Sequence, residues 1–247
     1  MCRTSQVLTI VVALMIAGAS VAEAGWVLTD ADGQETVISN DKMRSGWENG
    51  SMIVDADKNA IHFIDDNRKM IASGTVEEFC TEMEQIVETM MKNIPAEQRE
   101  MMKQMMGSDK AAEVKIVKKG AGDKVSGFKT TRYEVMADGE LYEELWLADD
   151  KDLMKDCKAL LKMMAKFSSC MEGISSMGAP SPKASVEYMK IFEQGMIVKS
   201  VEHSESPMGN HADVTEIAKK DVPDSAFDLP EGYKAAPLGA MWGMGAE

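Results

Sequence analysis

Methionine is the residue type through which this chain could do the most distinctive chemistry. The 247 residues include 23 methionines, and many occur as adjacent pairs: Met90-Met91, Met101-Met102, Met105-Met106 and Met163-Met164. A thioether is a soft ligand for Cu(I), and side chains three or four residues apart share one face of a helix. Methionine is also a flexible apolar side chain that suits an adaptable ligand surface, and a good helix former that fills cores. Copper binding, apolar ligand binding and ordinary core packing therefore all remain open.

Two histidines form a second candidate metal site. His203 and His211 flank a turn sequence around Pro207, so a hairpin centred there would place the two imidazoles opposite one another, with Met208 nearby. Two imidazoles supplemented by a carboxylate can hold a divalent metal. A solvated pair of histidines beside a loop accounts for the same pattern, and the sequence favours that interpretation.

The sequence contains no complete calcium-binding or catalytic motif. The segment from Asp55 to Asp66 spaces its carboxylates like an EF-hand loop, but Ala60 occupies the position that requires glycine and the flanks are typical of strands. A β-turn explains that segment. The chain contains no P-loop, dinucleotide fingerprint, HExxH or CxxC motif, and no Ser-His-Asp arrangement can be assembled. The sequence therefore predicts a protein that is not an enzyme and needs no cofactor.

The first 24 residues predict export. Arg3 provides a positive amino-terminal region, Val7 to Ala17 is apolar, and Ala22-Glu23-Ala24 is typical of a cleavage site, so we expect a cut after Ala24. The apolar run is shorter than the ~20 residues that a membrane span needs, and no later segment is apolar enough. We expect a periplasmic or secreted protein without a transmembrane segment after cleavage.

The charge of the chain limits its partners. The formal net charge is −14 at pH 7, which repels the phosphate backbone of nucleic acids. Anionic lipid head groups are disfavoured for the same reason. Nucleic acid is thus excluded as an expected partner.

Three cysteines follow the predicted signal: Cys80, Cys157 and Cys170. An oxidising compartment favours one disulfide and leaves one thiol over. On one straight helix Cys157 and Cys170 would lie ~20 Å apart, whereas a disulfide needs Cα atoms within ~7 Å. The sequence therefore pairs Cys80 with one of the other two, unless the helix breaks near Ser168-Ser169.

A predicted β-meander organises the fold. Short apolar runs alternate with turn residues from Lys42 to Ser73, and the runs are apolar on both faces. A sheet of this kind needs cover on its second face. Two helical inserts, at about 75–107 and 150–177, are predicted to supply it, and Thr75 to Glu78 forms a capping box that opens the first.

The other elements complete a single α+β domain at 25–236. We predict strands at 113–118, 129–137 and 140–148, and a final hairpin of 196–203 with 211–219. The residues 237–247, rich in Gly, Ala and Met, are predicted to be a flexible, disordered tail.

Four segments resemble the family of secreted bacterial proteins known as domain of unknown function 4412: NDKMRSGWENGSMIVDADKNAIHFIDDNRKM, PAEQREMMKQMM, GFKTTRYEVMADGELYEELWLA and VTEIAKKDVPDSAFDLPEGYK. That family is similar to the outer-membrane lipoprotein carrier (LolA/LolB-like) superfamily. The resemblance implies a half-open antiparallel β-barrel, or curved sheet, with helices covering its concave face and a cavity that receives acyl chains. It implies no catalytic residue.

We therefore expect an exported binding protein that holds a lipid or other apolar ligand between its sheet and its helices. The predicted lining residues are aromatic side chains of strands and methionines of helices: Trp47, Phe63, Trp146, Met83, Met90, Met101, Met105 and Met164. The alternatives are a methionine-rich copper-binding protein and a structural module that contacts another envelope protein. In the last case, the long second helix should expose an uncovered apolar stripe.

Overall fold

The computed structural model describes residues 23–95, 98, 112–175, 181–203 and 214–241. Nearly all of the predicted signal segment lies outside these ranges. The first strand begins at Glu23, two residues before Gly25, the first residue after the predicted cut.

Strands dominate the described chain. In chain order they are β1 Glu23–Asp30, β2 Glu35–Ser39, β3 Lys42–Trp47, β4 Gly50–Asp55, β5 Ala60–Asp65, β6 Met70–Gly74, β7 Val114–Ala121, β8 Thr130–Ala137, β9 Glu140–Ala148, β10 Met196–Glu202, β11 Val214–Val222 and β12 Lys234–Ala235. One sheet has the order β11-β1-β2-β3-β4-β5-β6-β12, and the other has the order β10-β9-β8-β7. All pairs are antiparallel except β12 with β6.

The α-helices are α1 Val76–Asn93, α2 Lys151–Ser175, α3 Val186–Met189 and α4 Leu238–Met241. Short 3-10 turns lie at Pro182–Ala184, Lys190–Glu193 and Asp224–Phe227. The predicted α+β class is confirmed. Within the described residues, no helix combines the length and the apolar character that crossing a bilayer requires.

The meander forms because its turns contain residues that tolerate a left-handed backbone. Asn59, in the turn between β4 and β5, has a φ of 50°, which asparagine adopts more readily than most residues. Lys69 has the same φ in the following turn although lysine has no such preference. Asp138 and Gly139, which join β8 to β9, have φ values of 51° and 86°, as a two-residue hairpin requires.

Helix α1 begins at the predicted capping box. The Thr75 hydroxyl accepts a hydrogen bond from the Glu78 backbone N–H at 3.1 Å, and the Glu78 carboxylate accepts one from the Thr75 N–H at 2.8 Å. Val76, Phe79 and Met83 follow on one face and are buried. The spacing of these residues directs α1 onto the sheet.

Helix α2 fills the space between the two sheets. Asp150 caps it by accepting from the backbone N–H groups of Asp152 and Leu153. Its buried side chains belong to one hydrophobic cluster that also contains residues of both sheets, among them Ile61 and Trp146. Its apolar stripe is therefore covered at the residues whose side chains the structure describes.

The carboxyl-terminal segment runs across the larger sheet. Strand β11 pairs with β1 at one edge and β12 pairs with β6 at the opposite edge, so the chain between them must cross the sheet. Arg44 of β3 donates to the Ala226 carbonyl at 3.2 Å, and the Lys42 ammonium lies 5.9 Å from the Phe227 ring centroid. These contacts place the crossing segment over the face of β3 that lies opposite the shared core.

Two sequence predictions need correction. The final hairpin is wrong, because β10 pairs with β9 and β11 pairs with β1, so the two strands belong to different sheets. The disordered tail is wrong for residues 237–241. Leu238 is only 1% exposed and begins the turn of helix α4, since burying a leucine side chain offsets the ordering of a short segment.

Candidate functional site

An open groove of about 320 Å³ lies at the end of strands β3 and β5. It is lined by Trp47, Asn49, Phe63, Ile64, Asp65 and Met241. Small-molecule sites in proteins usually measure ~300 to 1,000 Å³, so the groove has room for a small ligand or part of a longer one.

Trp47 forms one wall of the groove and is 43% exposed. It ends β3 and pairs across the hairpin with Gly50. A Cβ atom on Gly50 would lie 2.1 Å from the Ile64 carbonyl oxygen and 3.0 Å from the indole nitrogen of Trp47. Glycine is therefore required for the indole ring to lie against the strand.

Phe63 connects the groove to the core. Its ring centroid lies 5.4 Å from that of Phe79 on α1 and 5.9 Å from that of Phe167 on α2. These distances are typical of favourable aromatic packing. This side of the groove is consequently apolar and held by both helices.

Helix α4 contributes Met241 to the lining of the groove. The Gly239 backbone N–H donates to the Glu82 carboxylate of α1 at 3.1 Å. The Arg68 guanidinium donates to the carbonyl oxygens of Ala240 and Met241 at 2.5 and 2.6 Å. Arg68 thereby satisfies two carbonyls that the end of a helix would otherwise leave unpaired.

The charged groups beside the groove are paired. Asp65 accepts a hydrogen bond from the Arg68 backbone N–H at 2.8 Å and another from the Arg68 Nε at 2.6 Å. These bonds hold the pKa of Asp65 below its ordinary value. Asp66 accepts from the Tyr233 hydroxyl at 2.7 Å, a bond that raises the pKa of Tyr233.

An apolar lining with a few polar groups at the rim can bind an apolar molecule, and we see in it no arrangement for catalysis. Within the described part of the chain, no group of three or more His, Cys, Asp or Glu side chains is placed to hold a metal ion.

The structure brings together only some of the predicted lining residues. Trp47 and Phe63 line the groove. Trp146 and Met83 are 8% and 6% exposed and lie in the packed core around α2, and Met164 is partly buried against the same core. The Met90 side chain and all of Met101 and Met105 lie outside what the structure describes.

The predicted histidine pair depended on the hairpin that does not form. His203 Nε2 instead lies 2.9 Å from the Glu144 carboxylate, which also bonds Arg132. His211 and Met208 fall outside the described ranges.

The cysteines link the two long helices. Cys80 of α1 and Cys170 of α2 form a disulfide with their Cα atoms 5.8 Å apart, one of the two pairings that the sequence left open. Cys157 is free and buried, and this burial raises the pKa of its thiol to about 12. A thiol with so high a pKa is unreactive at neutral pH.

Sequence reasoning missed part of the lining. The four lining residues that were not predicted are Asn49, Ile64, Asp65 and Met241, and Met241 lies in the segment predicted to be a disordered tail. For Met241 the available signal was the apolar Leu238 three residues earlier, the spacing of one helical face.

Comparison with known proteins agrees with the family resemblance. The family model described as "Domain of unknown function (DUF4412)" matches residues 15–233. No curated protein matches the chain. Because the match covers most of the sequence, the chain belongs to the DUF4412 family.

Proposed function

We propose that this protein is an exported, non-enzymatic binding protein that holds a small apolar ligand, such as an acyl chain, in the groove between Trp47 and Met241. The observation that carries the proposal is the exposed indole of Trp47 beside an apolar groove of about 320 Å³. Tryptophan combines a large apolar face with an N–H donor, which suits it to binding surfaces.

The packing of the core indicates where in the fold a ligand could bind. The two sheets share one core around α2, and we propose that they form the walls of the half-open barrel that the family resemblance implies. Side chains such as Leu153 and Val54 are fully buried in this core. The proposed ligand site is therefore the groove at the end of the strands rather than the space that α2 occupies.

Fluorescence titration with the apolar probe N-phenylnaphthylamine tests the proposal. We expect the wild-type chain to bind with a micromolar Kd, and Trp47→Ala to weaken binding about tenfold because an apolar wall is lost. Leu229→Ala is the matched control, since Leu229 is 41% exposed but does not line the groove.

Two results would contradict the proposal. One is the absence of probe binding, or equal weakening by both substitutions. The other is a wild-type dimer in native mass spectra that Trp47→Ala converts to a monomer, since the groove would then be covered by a second copy of the chain.

A further inference from the structure

The cation nearest the groove lining has little capacity left for a ligand. Arg68 donates from Nε to Asp65 and from its two terminal nitrogens to the carbonyls of Ala240 and Met241. One of these nitrogens also lies 2.6 Å from the Asp65 carboxylate. At most one of the five guanidinium N–H groups is left, so a carboxylate that bound in the bidentate manner would have to displace one of these partners, and displacement of a carbonyl would release the end of α4 from its hydrogen bonds.

Carboxylates lie in the groove lining and beside it in the chain. Asp65 lines the groove but is paired with Arg68, and the exposed Glu48 lies between the lining residues Trp47 and Asn49 in the chain. The chain as a whole carries −14. The carboxylate of Glu48 and the net charge of the chain therefore disfavour an anionic ligand and attract a cationic one.

Trp47 differs from the other tryptophans that the structure describes. The Lys219 ammonium lies 5.2 Å from the Trp26 ring centroid, and the Lys199 ammonium lies 5.0 Å from that of Trp146. Among the described residues, no such lysine or arginine is found over Trp47. A tryptophan face is the best aromatic surface for a cation, and here it borders the groove.

We infer that the groove selects an apolar chain with a positively charged ammonium head, and that it discriminates against the same chain with a carboxylate head. This inference rests on the proposed function and names the ligand class for the same groove. The chain packs between Phe63 and Met241, and the ammonium lies against the Trp47 ring near the carboxylates. An ammonium on an apolar chain belongs both to lipid head groups and to free amines.

Three probes with one chain length test the selection in calorimetric titrations of the full mature chain: decyltrimethylammonium and decanoate, each below its micelle concentration, and decanol below its solubility limit. We expect affinity to fall in that order, with the cation favoured over the carboxylate by at least tenfold at low salt. The difference should narrow in high salt because exposed charges are screened. Tetramethylammonium, which lacks the chain, tests whether the chain is required: binding as tight as that of decyltrimethylammonium would overturn the inference. Decylphosphocholine separates the two sources, because its ammonium follows a phosphate as in a lipid head group: tighter binding than that of decyltrimethylammonium identifies a lipid head group, and weaker binding identifies a free amine.

Substitutions separate the cation contribution from general apolar binding. Trp47→Leu keeps an apolar side chain but removes the aromatic face, so we expect it to lower the ratio of cation affinity to decanol affinity about two- to fivefold. Glu48→Lys should lower the same ratio, whereas Glu187→Lys on α3, exposed and outside the groove lining, makes the same change in net charge without this effect.

The experiments distinguish failure of the proposed function from failure of the inference about the ligand class. Absence of binding by all three probes overturns the proposed function, and the inference with it. Equal or tighter binding of decanoate overturns the inference alone. An unchanged ratio in both Trp47→Leu and Glu48→Lys also overturns it, because the selection would not then arise at this groove.

Discussion

At the residue scale, Glu143 shows how this acidic chain tolerates a buried carboxyl group. It is 2% exposed and belongs to β9. Its carboxylate accepts a hydrogen bond from the hydroxyl of Tyr188, a residue of α3, at 2.9 Å. Lys183 lies 3.5 Å away. Burial raises the pKa of Glu143 more than Lys183 and Tyr188 lower it. Folding therefore shifts the protonation equilibrium of this group towards its neutral form, relative to the unfolded chain.

Replacing Glu143 with Gln should make stability less dependent on pH. Because the folded pKa is raised, the contribution of Glu143 is fully present below its unfolded pKa of ~4.3 and is lost as the pH rises through the folded pKa. We expect the free energy of unfolding of Glu143→Gln, relative to wild type, to rise between pH 4 and pH 7. Urea unfolding at several pH values measures it.

The exposed Glu187→Gln is the control for this comparison. A stability difference between Glu143→Gln and wild type that changes with pH no more than the difference between the control and wild type would contradict the assignment of a raised pKa to Glu143.

At the element scale, α4 is a very short helix that depends on contacts with other elements. A helix of four residues does not form alone in water, because the free energy of nucleating a helix is unfavourable and a single hydrogen-bonded turn does not offset it. Leu238 anchors it in the core, and Arg68 holds its last carbonyls. The groove wall at Met241 consequently depends on a side chain from the turn between β5 and β6.

Substituting Arg68 with Ala should loosen α4 selectively. Since the guanidinium is partly exposed, we expect a loss of only about 1 kcal/mol in global stability, with faster amide hydrogen exchange at 238–241 and weaker probe binding. Lys58→Ala is the control, because Lys58 pairs with Asp55 at the same i,i+3 spacing away from α4. Unchanged exchange at 238–241 in Arg68→Ala would show that Leu238 alone holds the helix.

At the scale of the whole molecule, the disulfide joins parts of the chain that are distant in sequence. Cys80 and Cys170 are separated by 90 residues, and the intervening chain includes most of the second sheet. Closing so long a loop restricts the unfolded chain more than it changes the folded one. The bond therefore acts on the stability of the domain rather than on one element.

Removing the disulfide by Cys80→Ser with Cys170→Ser should lower the free energy of unfolding by about 2 to 5 kcal/mol. Chemical denaturation measures this loss, and a reducing agent should reproduce it. The variant Cys157→Ala should respond to the reducing agent as wild type does, since Cys157 is not bonded. A wild-type free energy of unfolding that does not change on reduction would contradict the stabilising role of the disulfide.

Local signals in the sequence predicted the local elements. The capping box at Thr75, the Asp138-Gly139 turn and the apolar spacing of α2 each act through neighbours within a few residues, so they can be interpreted without tertiary information. The partners of β10 and β11 could not be predicted in this way. A turn sequence around Pro207 suggested a hairpin, but β11 pairs along eight residues with β1, which is distant in the chain.

The candidate site illustrates the same division. The sequence by itself determined the α+β class, the meander, the capped helices and the aromatic character of Trp47 and Phe63, because these depend on periodicity, turn residues and side-chain type. Only the tertiary structure decided that Trp146 and Met83 belong to the packed core while Trp47 stays exposed, and that Met241 lines the groove. Burial depends on which distant elements pack together, and this packing is set by the whole chain rather than by any one segment.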